Sequence, residues 1–296
     1  MKNKQQRVSI VIPTYNSWST LKDCLESIFR QKLQPTEVIV IDNASTDGTS
    51  KKINQLIGKN QLIKLIKNKK NLGVTGGRNR GIKEANKNSE FLFFFDHDMV
   101  ADEKMLEELV KVAESNKKIG IVTPKIYYWE RKDIIWSAGT DVNLLTGQTV
   151  FYGGEDKGQY DEVKEVGVAP AAILVKRKVI HKIGMFDPIY FATYEDTDFC
   201  FRAKKEGFLT YYAPNAKAFH KIPYNKKKAE TRLLGRTYWI ARNRVVFMNR
   251  YGKFITIFWF FEPIYFLYYV ILAVRYRKFK AIYDFVRGTT DGILSK

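Results

Sequence analysis

The chain has 296 residues, of which 45% are hydrophobic and 27% are charged. This length and composition exclude a disulfide-stapled mini-protein, a collagen-like fibre and a fully disordered chain, and they allow one large or two modest domains. The formal net charge of +19 indicates an anionic partner, such as a phosphorylated substrate, a nucleic acid or an acidic membrane surface. The excess is mostly C-terminal, because residues 221–296 carry 16 Lys and Arg against 4 Asp and Glu.

The two cysteines and the N-terminus restrict the compartment. Cys24 and Cys200 lie in apolar-periodic segments without CxxC spacing, so we predict core thiols rather than a disulfide or a cysteine metal site. The sequence runs from Met1 through Lys-Asn-Lys directly into a strand pattern, without an apolar stretch and a small-residue cleavage site. No signal peptide is therefore predicted, and we expect the catalytic part to face the cytoplasm.

Strand and helix patterns alternate in the first half of the chain. Short apolar runs bounded by turn residues predict five strands, at 8–13, 36–42, 61–66, 91–96 and 119–124. Amphipathic stretches between them predict helices at about 18–31, 47–58, 76–87 and 102–116. This order favours an α/β fold of Rossmann-like type, with a mostly parallel sheet and helices on both faces.

The second half completes this domain and adds a helical region. We predict a strand-like run at 166–176, a short helix at 177–183 and a helix at 195–207, followed by one basic helix from about 227 to Arg250 and an apolar block at 254–274. The predicted division is a catalytic domain over 1–222 and a basic helical C-terminal region over 223–296.

Polar residues that follow the strands are the first candidates for a site, because ligands of open parallel sheets bind beyond the carboxyl ends of the strands. The first strand ends in Pro-Thr-Tyr-Asn, which lacks the glycine pattern of dinucleotide binders and the lysine of a P-loop. The second ends at Asp42, whose carboxylate can accept a ring N–H from uracil, thymine or guanine. The alternative, which the pattern alone favours, is that Asp42 and Ser45 only cap the next helix, near Asp47.

The fourth strand, Phe91–Phe95, is entirely apolar and is followed by Asp96-His97-Asp98. Alternation along an extended chain would place both carboxylates on one side, where they can share a divalent cation with a diphosphate. The alternative is that these aspartates only stabilise a turn after the strand. The position directly after a buried strand favours the metal site.

Two further segments carry candidate chemistry. Residues 71–81 are glycine-rich and precede a helix, so backbone amides and Arg78 can attract an anion. Glu195, Asp196 and Asp198 open another helix and can supply a base from a second wall of the site. At least one of the three carboxylates is explained simply by its favourable position at a helix N-terminus.

Five segments, VSIVIPTYN, IDNASTDGT, NLGVTGGRNRG, FFFDHDM and YEDTDFCFRAKKEGF, stand in the order and spacing of the family 2 glycosyltransferases of GT-A fold. Over about residues 7–221 the chain resembles this family, and most closely its rhamnosyltransferase-like subgroup. The resemblance implies a nucleotide-diphosphate-sugar donor, a Mg²⁺ or Mn²⁺ ion, and transfer with inversion to a glycan or lipid-linked acceptor. Because the Asp42 carboxylate can accept a hydrogen bond from the ring N–H of uracil, thymine or guanine, the nucleotide is expected to be UDP, dTDP or GDP.

The resemblance also implies roles for single residues. Those that would bind the nucleotide-sugar are Pro13, Thr14, Tyr15, Asp42, Gly73, Arg78 and Asp96. Those that would hold the metal are Asp96, Asp98 and His220. Asp196 would be the catalytic base, Glu195 would organise the acceptor pocket, and Asp198 would be structural.

The apolar block at 254–274 is long enough to cross a membrane, but three features favour a position in the interface. Glu262-Pro263 interrupts the block, nine of its 21 residues are aromatic, and both flanks are basic, whereas a single span shows its basic bias on one side. We therefore expect an element that associates with the cytoplasmic face of the cell membrane, ahead of a single-pass span and of an ordinary core helix.

Three other functions compete with the glycosyltransferase hypothesis. A sugar-phosphate nucleotidyltransferase would need an N-terminal glycine-rich loop with an arginine, which this chain lacks. A catalytically silent binding or scaffold protein would not need Asp96, Asp98 and Asp196 together. A nucleic-acid partner is not expected, because the basic residues flank an apolar block instead of lining a groove. The oligomeric state is left open.

Overall fold

A computed structural model describes residues 8–58 and 60–295, and the N-terminal segment used for the signal-peptide prediction lies outside these residues. The strands are β1 (Val8–Thr14), β2 (Glu37–Asp42), β3 (Ile63–Lys67), β4 (Phe91–Phe95), β5 (Met99–Ala101), β6 (Ile119–Tyr128), β7 (Ile134–Ser137), β8 (Thr140–Val142), β9 (Thr149–Phe151), β10 (Gly154–Glu155), β11 (Lys164–Glu165), β12 (Ala172–Lys176) and β13 (Leu209–His220). The helices are α1 (Trp18–Phe29), α2 (Thr49–Ile57), α3 (Gly73–Glu84), α4 (Met105–Ser115), α5 (Arg177–Ile183), α6 (Glu195–Lys205), α7 (Lys226–Leu234), α8 (Thr237–Tyr251), α9 (Ile255–Arg275) and α10 (Lys280–Leu294).

The first four strands pair in parallel in the order β3-β2-β1-β4. All residues of β1 and β4 are buried, which explains their continuous apolar sequences, because helices cover both faces of the sheet. Thr14 pairs with Asp42 at the ends of β1 and β2. The carboxyl ends of these strands therefore meet at one edge of the sheet, as predicted.

The sheet then becomes mixed. Strand β12 lies between β4 and β6 and runs antiparallel to both, while β13 runs parallel to β6 and antiparallel to β5. The strand-like run predicted at 166–176 is wrong in its first half. Strand β12 begins only at Ala172, because Pro170 has no N–H to donate and Ala171 has a positive φ of 59°.

Helix α3 begins at Gly73, three residues earlier than predicted, and its glycines permit close packing on β1. A Cβ atom on Gly81 would lie 2.1 Å from Cγ1 of Val11, and one on Gly77 would lie 2.8 Å from Cβ of Pro13. The glycine-rich segment is therefore largely helical, and it serves packing rather than forming an open loop.

Hydrophobic cores lie on both faces of the sheet. Cys24 belongs to the core beneath α1 and α4, and Cys200 belongs to the core beneath α5 and α6. Both cysteines are free and buried, which confirms the prediction of core thiols.

The C-terminal region differs from the sequence prediction in three ways. The predicted basic helix is two helices, α7 and α8, separated at Gly235-Arg236. Helix α9 continues through Pro263, so the predicted interruption is wrong. Tertiary contacts hold the helix together there, because the neighbouring Glu262 is buried and pairs with Arg244 of α8. Helix α10 was not predicted.

Helices α8, α9 and α10 pack against each other and against the catalytic half. A Cβ atom on Gly288 of α10 would lie 2.4 Å from the carbonyl oxygen of Tyr238, so this contact between α10 and α8 requires a residue without a side chain. Asn243 of α8 donates from Nδ2 to the carbonyl oxygen of Ala192 at 2.7 Å. Helix α8 thus contacts the segment that leads into α6.

Candidate active site

A cavity of about 1070 Å³ lies at the carboxyl ends of β1 and β4. Its walls come from the sheet edge, from α3 and α6, and from the C-terminal helices α7 to α9. The sequence-predicted residues that line it are Pro13, Arg78, Asp96, Asp98, Glu195, Asp196 and His220. The structure therefore brings two sets of predicted residues around one cavity. The donor-side carboxylates are Asp96 and Asp98, and the base-side carboxylates are Glu195 and Asp196.

Four predicted donor residues lie outside this lining. Thr14 is buried and shares a hydrogen bond with the Ser17 hydroxyl, whereas Tyr15 is exposed. Asp42 is buried and accepts a hydrogen bond from the backbone N–H of Ser45 at 2.9 Å, in the loop before α2. Helix α2 has Gly48 at its N-cap and no side-chain cap, so the predicted capping by Asp42 and Ser45 is not observed. Gly73 has a φ of 69°. The proposed nucleotide contacts of these residues stay predictions.

Arg78 connects the two walls of the cavity. Its guanidinium is only 1% exposed, and it donates from Nη2 to Oδ1 of Asp96 at 2.9 Å and from Nη1 to Oε1 of Glu195 at 3.3 Å. It also lies over the ring of Phe186 at 5.3 Å. In this structure Arg78 balances the buried carboxylate of Glu195 and the partly exposed one of Asp96, so its charge is already engaged by the protein.

Asp96 and Asp98 reach the cavity by a different geometry from the predicted one. Strand β4 ends at Phe95, and the next residues form a turn in which the N–H of Met99 donates to the carbonyl oxygen of Asp96 at 3.1 Å. The two carboxylates are therefore not placed by strand alternation. The turn still directs both into the same cavity, Asp96 toward Arg78 and Asp98 toward His220.

Asp98 has two cationic or potentially cationic neighbours. Nε2 of His220 lies 3.3 Å from Oδ1, and Nη2 of Arg232 lies 3.7 Å from Oδ2. Burial by itself raises the pKa of Asp98, but the hydrogen bond and charge of His220, with His97 and Arg232, outweigh it and hold that pKa well below its usual range. The Asp98 carboxylate is therefore anionic over the whole physiological pH range.

A strained segment positions the carboxylates of α6. Thr193 and Tyr194 have positive φ angles of 67° and 64°, which non-glycine residues rarely adopt. Asn243 holds the strained backbone through its contact with the Thr193 carbonyl oxygen at 3.0 Å, and the Tyr194 hydroxyl donates to the carbonyl oxygen of Gly147 at 2.5 Å. The strain turns the chain abruptly, so that Glu195 and Asp196 begin the helix inside the cavity.

Burial raises the proton affinity of this carboxylate pair. Burial and the charge of Asp196 raise the pKa of Glu195 to about 7, against the opposing charge of Arg78. The pKa of Asp196 is also raised, first by burial, although Arg78 and the backbone N–H of Thr197 oppose the shift. A carboxylate with a raised pKa is a better proton acceptor near neutral pH.

We expect Glu195→Gln to change how stability depends on pH. Folded Glu195 has a pKa of about 7 against a usual value of 4.5, so between these values the folded chain holds more protons and loses stability as the pH rises. Relative to the parent, the variant should therefore gain about 2 to 3 kcal/mol in free energy of unfolding between roughly pH 5 and 8, measured by urea unfolding without divalent cations. The control is the exposed Glu155→Gln, and parallel pH profiles for parent and Glu195→Gln would refute the shift.

The residues present offer a partial metal site. Within residues 8–58 and 60–295, no three His, Cys, Asp or Glu side chains come together so that they could hold a metal ion on their own. The Asp98 and His220 pair supplies a carboxylate, which suits Mg²⁺ and Mn²⁺, and an imidazole, which is a common ligand of metal ions in general. Such ions commonly keep substrate phosphates and water as further ligands, so this pair fits a cation that arrives with a diphosphate.

Sequence reasoning missed several residues of the cavity wall. Arg232 lies in the last turn of α7 next to Asp98, and Arg236 lies between α7 and α8. Trp136 of β7 contacts His220 edge to face, with ring centroids 4.6 Å apart. The C-terminal charge excess was the available signal for the arginines, but no spacing in the sequence connects them to Asp98.

The chain is similar to known proteins of one family. The chain matches the sequence model of the family described as "Glycosyl transferase family 2" over residues 9–184. It is 26% identical over 181 residues to glycosyltransferase GlyG of Streptococcus pneumoniae, covering 60% of this chain and 58% of that protein. It is 30% identical over 157 residues to poly(ribitol-phosphate) beta-glucosyltransferase of Bacillus spizizenii, covering 51% of this chain and 24% of that protein. The chain thus spans less than two thirds of the length of either relative.

Solved structures share the fold. Mannosyltransferase PcManGT of Pyrobaculum calidifontis, in complex with GDP-Man and Mn²⁺, aligns with a TM-score of 0.61 and 18% identity, covering 99% of this chain and 77% of that one. GalNAc-T7, with UDP, GalNAc and Mn²⁺, aligns with a TM-score of 0.60 and 16% identity, covering 87% of this chain and 54% of that one. These likenesses show a GT-A-like α/β fold.

Proposed function

Because the chain belongs to glycosyl transferase family 2, we propose that it is an inverting glycosyltransferase that uses a nucleotide-diphosphate-sugar donor and a divalent cation. The observation that carries the proposal is the single cavity that holds the Asp98 and His220 pair together with Asp196. The complexes of structural neighbours with UDP or GDP-Man and Mn²⁺ support the donor class and the ion. The rhamnosyltransferase-like motifs support a hexose or deoxyhexose as the transferred sugar.

The leaving group lies on the Asp98 side in this proposal. Asp98 and His220 would hold the cation, and the chemistry that a divalent cation supplies when bound is neutralisation of charge on the diphosphate. Arg232, beside Asp98, places a further positive charge near the leaving diphosphate. Arg78 keeps Asp96 and Glu195 oriented while the substrates bind.

The acceptor lies on the Asp196 side. Asp196 accepts the proton of the acceptor hydroxyl, and the hydroxyl oxygen forms a bond to the anomeric carbon of the sugar. The bond from that carbon to the diphosphate breaks on the opposite face, and its electron pair leaves with the diphosphate oxygen. Glu195 supports this side, since its Oε2 is buried without a hydrogen-bond partner among the described residues and can receive an acceptor hydroxyl.

Hydrolysis of nucleotide sugars tests this proposal without knowledge of the acceptor. UDP-, dTDP- and GDP-sugars are incubated with the full chain and Mn²⁺ or Mg²⁺, and the release of nucleotide diphosphate is measured. We expect slow, metal-dependent release from at least one donor. Tight donor binding without any release or transfer would instead support the silent binding or scaffold protein.

We also propose that α9 and α10 lie in the interface of the cytoplasmic membrane face. By length and composition α9 is able to cross a membrane, but that is weak evidence for a span. One face of α9 carries an apolar stripe of five side chains, each 55% to 75% exposed, and basic residues follow it in the turn to α10. The stripe consists of Phe260, Ile264, Leu267, Ile271 and Val274, and the basic residues are Arg275, Arg277, Lys278 and Lys280.

The packing of α9 supports the interface rather than a span. The middle of the helix is tied to the catalytic half, because Glu262 pairs with Arg244, and Arg244 donates from Nη1 to the carbonyl oxygen of Thr146 at 2.9 Å. A helix whose midpoint contacts the active-site domain lies beside the bilayer, with its exposed stripe facing the lipids.

We expect the protein to sediment with vesicles that contain phosphatidylglycerol, and to be released in substantial part by about 0.5 M salt, which screens its basic residues. The variant Leu267→Gln/Ile271→Gln should lower the vesicle-bound fraction at all salt concentrations, because it removes apolar burial. The control is Val163→Gln, an equally exposed apolar residue outside α9 and α10. Equal vesicle binding by the double variant and the parent would contradict the proposed membrane face.

A further inference from the structure

We propose that the chain has a separate carbohydrate site, a groove beside the active-site cavity that binds two or more rings of a neutral oligosaccharide by stacking on aromatic side chains. The groove has a volume of about 870 Å³, which is within the usual range of small-molecule sites. Sugar binding in the groove requires neither a donor nor a cation, so the inference goes beyond the proposed function.

The groove is built on regular structure. It is lined by β7, by the end of β6, by the segment from Phe151 to β10, and by Tyr224. Strand β7 supplies the buried Ile134 and Ile135. Gly153 permits the close approach of the neighbouring segment, because a Cβ atom there would lie 2.7 Å from the carbonyl oxygen of Ile135. The pairing of β7 with β10 therefore fixes the shape of the groove.

Four aromatic side chains line the groove in two pairs. Tyr128 and Tyr224 contact each other edge to face with ring centroids 5.2 Å apart, and the centroids of Trp136 and Phe151 lie 5.4 Å apart. Tyr224 is 42% exposed and Phe151 is 49% exposed. Aromatic rings that stay in water within a concave site gain from a ligand with an apolar face. A pyranose ring has such a face, formed by its C–H groups, and hydroxyl groups around its edge.

The charged residues of the groove favour a neutral ligand. Among the described residues, the charged side chains that line it are Arg131 and Glu155, whose charges balance. Arg131 pairs with Asp133 at 2.6 Å, and Glu155 pairs separately with Lys157 at 3.1 Å. Both pairs are exposed and contribute little to stability, so Arg131 and Glu155 can hydrogen-bond sugar hydroxyls instead. A nucleic acid would require several uncompensated cations.

The groove adjoins the active-site cavity. Trp136 and Phe151 line both spaces. Trp136 is also the residue that contacts His220 of the proposed metal pair edge to face. An oligosaccharide that is bound in the groove can therefore extend into the cavity, which a single sugar in the cavity cannot use. A ligand of several rings should bind more tightly than one ring for this reason.

The test uses four neutral tetrasaccharides, built from glucose, galactose, mannose and rhamnose, with the corresponding monosaccharides as single-ring counterparts. Binding to the full chain is measured by saturation-transfer NMR titration in EDTA and without a donor. The parent should bind at least one tetrasaccharide at least about fivefold more tightly than its monosaccharide, because more than one ring stacks. Absence of binding for all four, or equal affinity for each tetrasaccharide and its monosaccharide, overturns the inference.

Variants of Tyr224 locate the binding. Tyr224→Ala should raise the Kd for the bound tetrasaccharide at least about fivefold, because this ring lines the groove but not the active-site cavity. Tyr224→Phe keeps the ring, so its Kd should stay within about twofold of the parent value.

The matched control is Tyr283→Ala, which removes an exposed tyrosine of α10 that lines neither space. Its Kd should also stay within about twofold of the parent value. Equal binding by Tyr224→Ala and the parent would place sugar binding elsewhere, and an equal loss in Tyr283→Ala would show an unspecific effect. Either result overturns the inference. Thermal unfolding of each variant without sugar shows that it is folded.

Donor hydrolysis by the parent, measured with Mn²⁺ as above, separates this inference from the proposed function. If a donor is hydrolysed and the tetrasaccharide pattern is absent, only the carbohydrate groove fails. If the pattern is present and no donor is hydrolysed, the groove stands and the glycosyltransferase proposal fails.

Discussion

Replacing Asp196 by asparagine is expected to lower kcat by about two to four orders of magnitude, while the affinity for the nucleotide-sugar donor stays nearly unchanged. Asparagine keeps the shape of the side chain but cannot accept the proton of the attacking hydroxyl. Burial raises the pKa of Asp196, which makes the parent carboxylate an effective base near neutral pH. The measurement is metal-dependent release of nucleotide diphosphate from a donor that the parent turns over, with kcat and KM determined separately.

The matched control for this experiment is Glu206→Gln, which changes a carboxylate just beyond the other end of α6. Its exposed ion pair with Lys182 contributes little to stability, so turnover should equal that of the parent. Near-normal turnover by Asp196→Asn would contradict the role of Asp196 as catalytic base. The base would then have to be Glu195 or another residue.

Replacing Asp98 by alanine is expected to weaken Mn²⁺-dependent binding of nucleotide diphosphates by at least about a hundredfold, since even changes around metal ligands cost up to that much. The His220 imidazole would then be the one proposed ligand left from this pair. The variant should still fold, because the Asp98 side chain lines the cavity rather than a hydrophobic core, and its partner Arg232 is 40% exposed. The measurement is isothermal titration of the nucleotide diphosphate with Mn²⁺ and with EDTA.

The control for the metal experiment is Glu107→Ala, an exposed carboxylate in the first turn of α4. This variant should bind nucleotide diphosphate as the parent does. If Asp98→Ala kept the Mn²⁺ dependence of the parent, the assignment of Asp98 as a metal ligand would be wrong.

The sequence was sufficient to predict the alternation of β1 to β4 and β6 with α1 to α4, and β1 and β4 are continuously apolar because they are buried on both faces. It did not predict β5, the short strands β7 to β11, or β13. It also located Asp98, Asp196 and His220, which the structure brings to one cavity. The strand-end rule drew attention to Asp98, whereas the resemblance to the family singled out Asp196 as the base and His220 as a metal ligand.

Contacts between segments distant in the chain could not be predicted in the same way. The bridge from Arg78 to Glu195 joins residues 117 positions apart, and no periodicity records it. Pro263 was expected to interrupt its helix, yet the buried pair of Glu262 with Arg244 and the packing of α9 on α10 keep it continuous. Tertiary packing decides such positions over local propensity.

The aromatic part of the cavity wall is the clearest example of a feature that requires the fold. Tyr265 and Tyr268 read in sequence as part of an apolar block, with no sign that they face the carboxylates. Only the return of α9 past α8 places them on the wall of the active-site cavity.

The central claim is that this cavity binds a nucleotide diphosphate together with a divalent cation. Thermal unfolding of the full chain with UDP, dTDP or GDP, with and without Mn²⁺, tests it directly, because a ligand that binds only the native state raises the apparent stability. We predict that at least one nucleotide raises the Tm in the presence of Mn²⁺ and that this increase disappears with EDTA and in Asp98→Ala. An unchanged Tm with every nucleotide and with either Mn²⁺ or Mg²⁺ would contradict the claim.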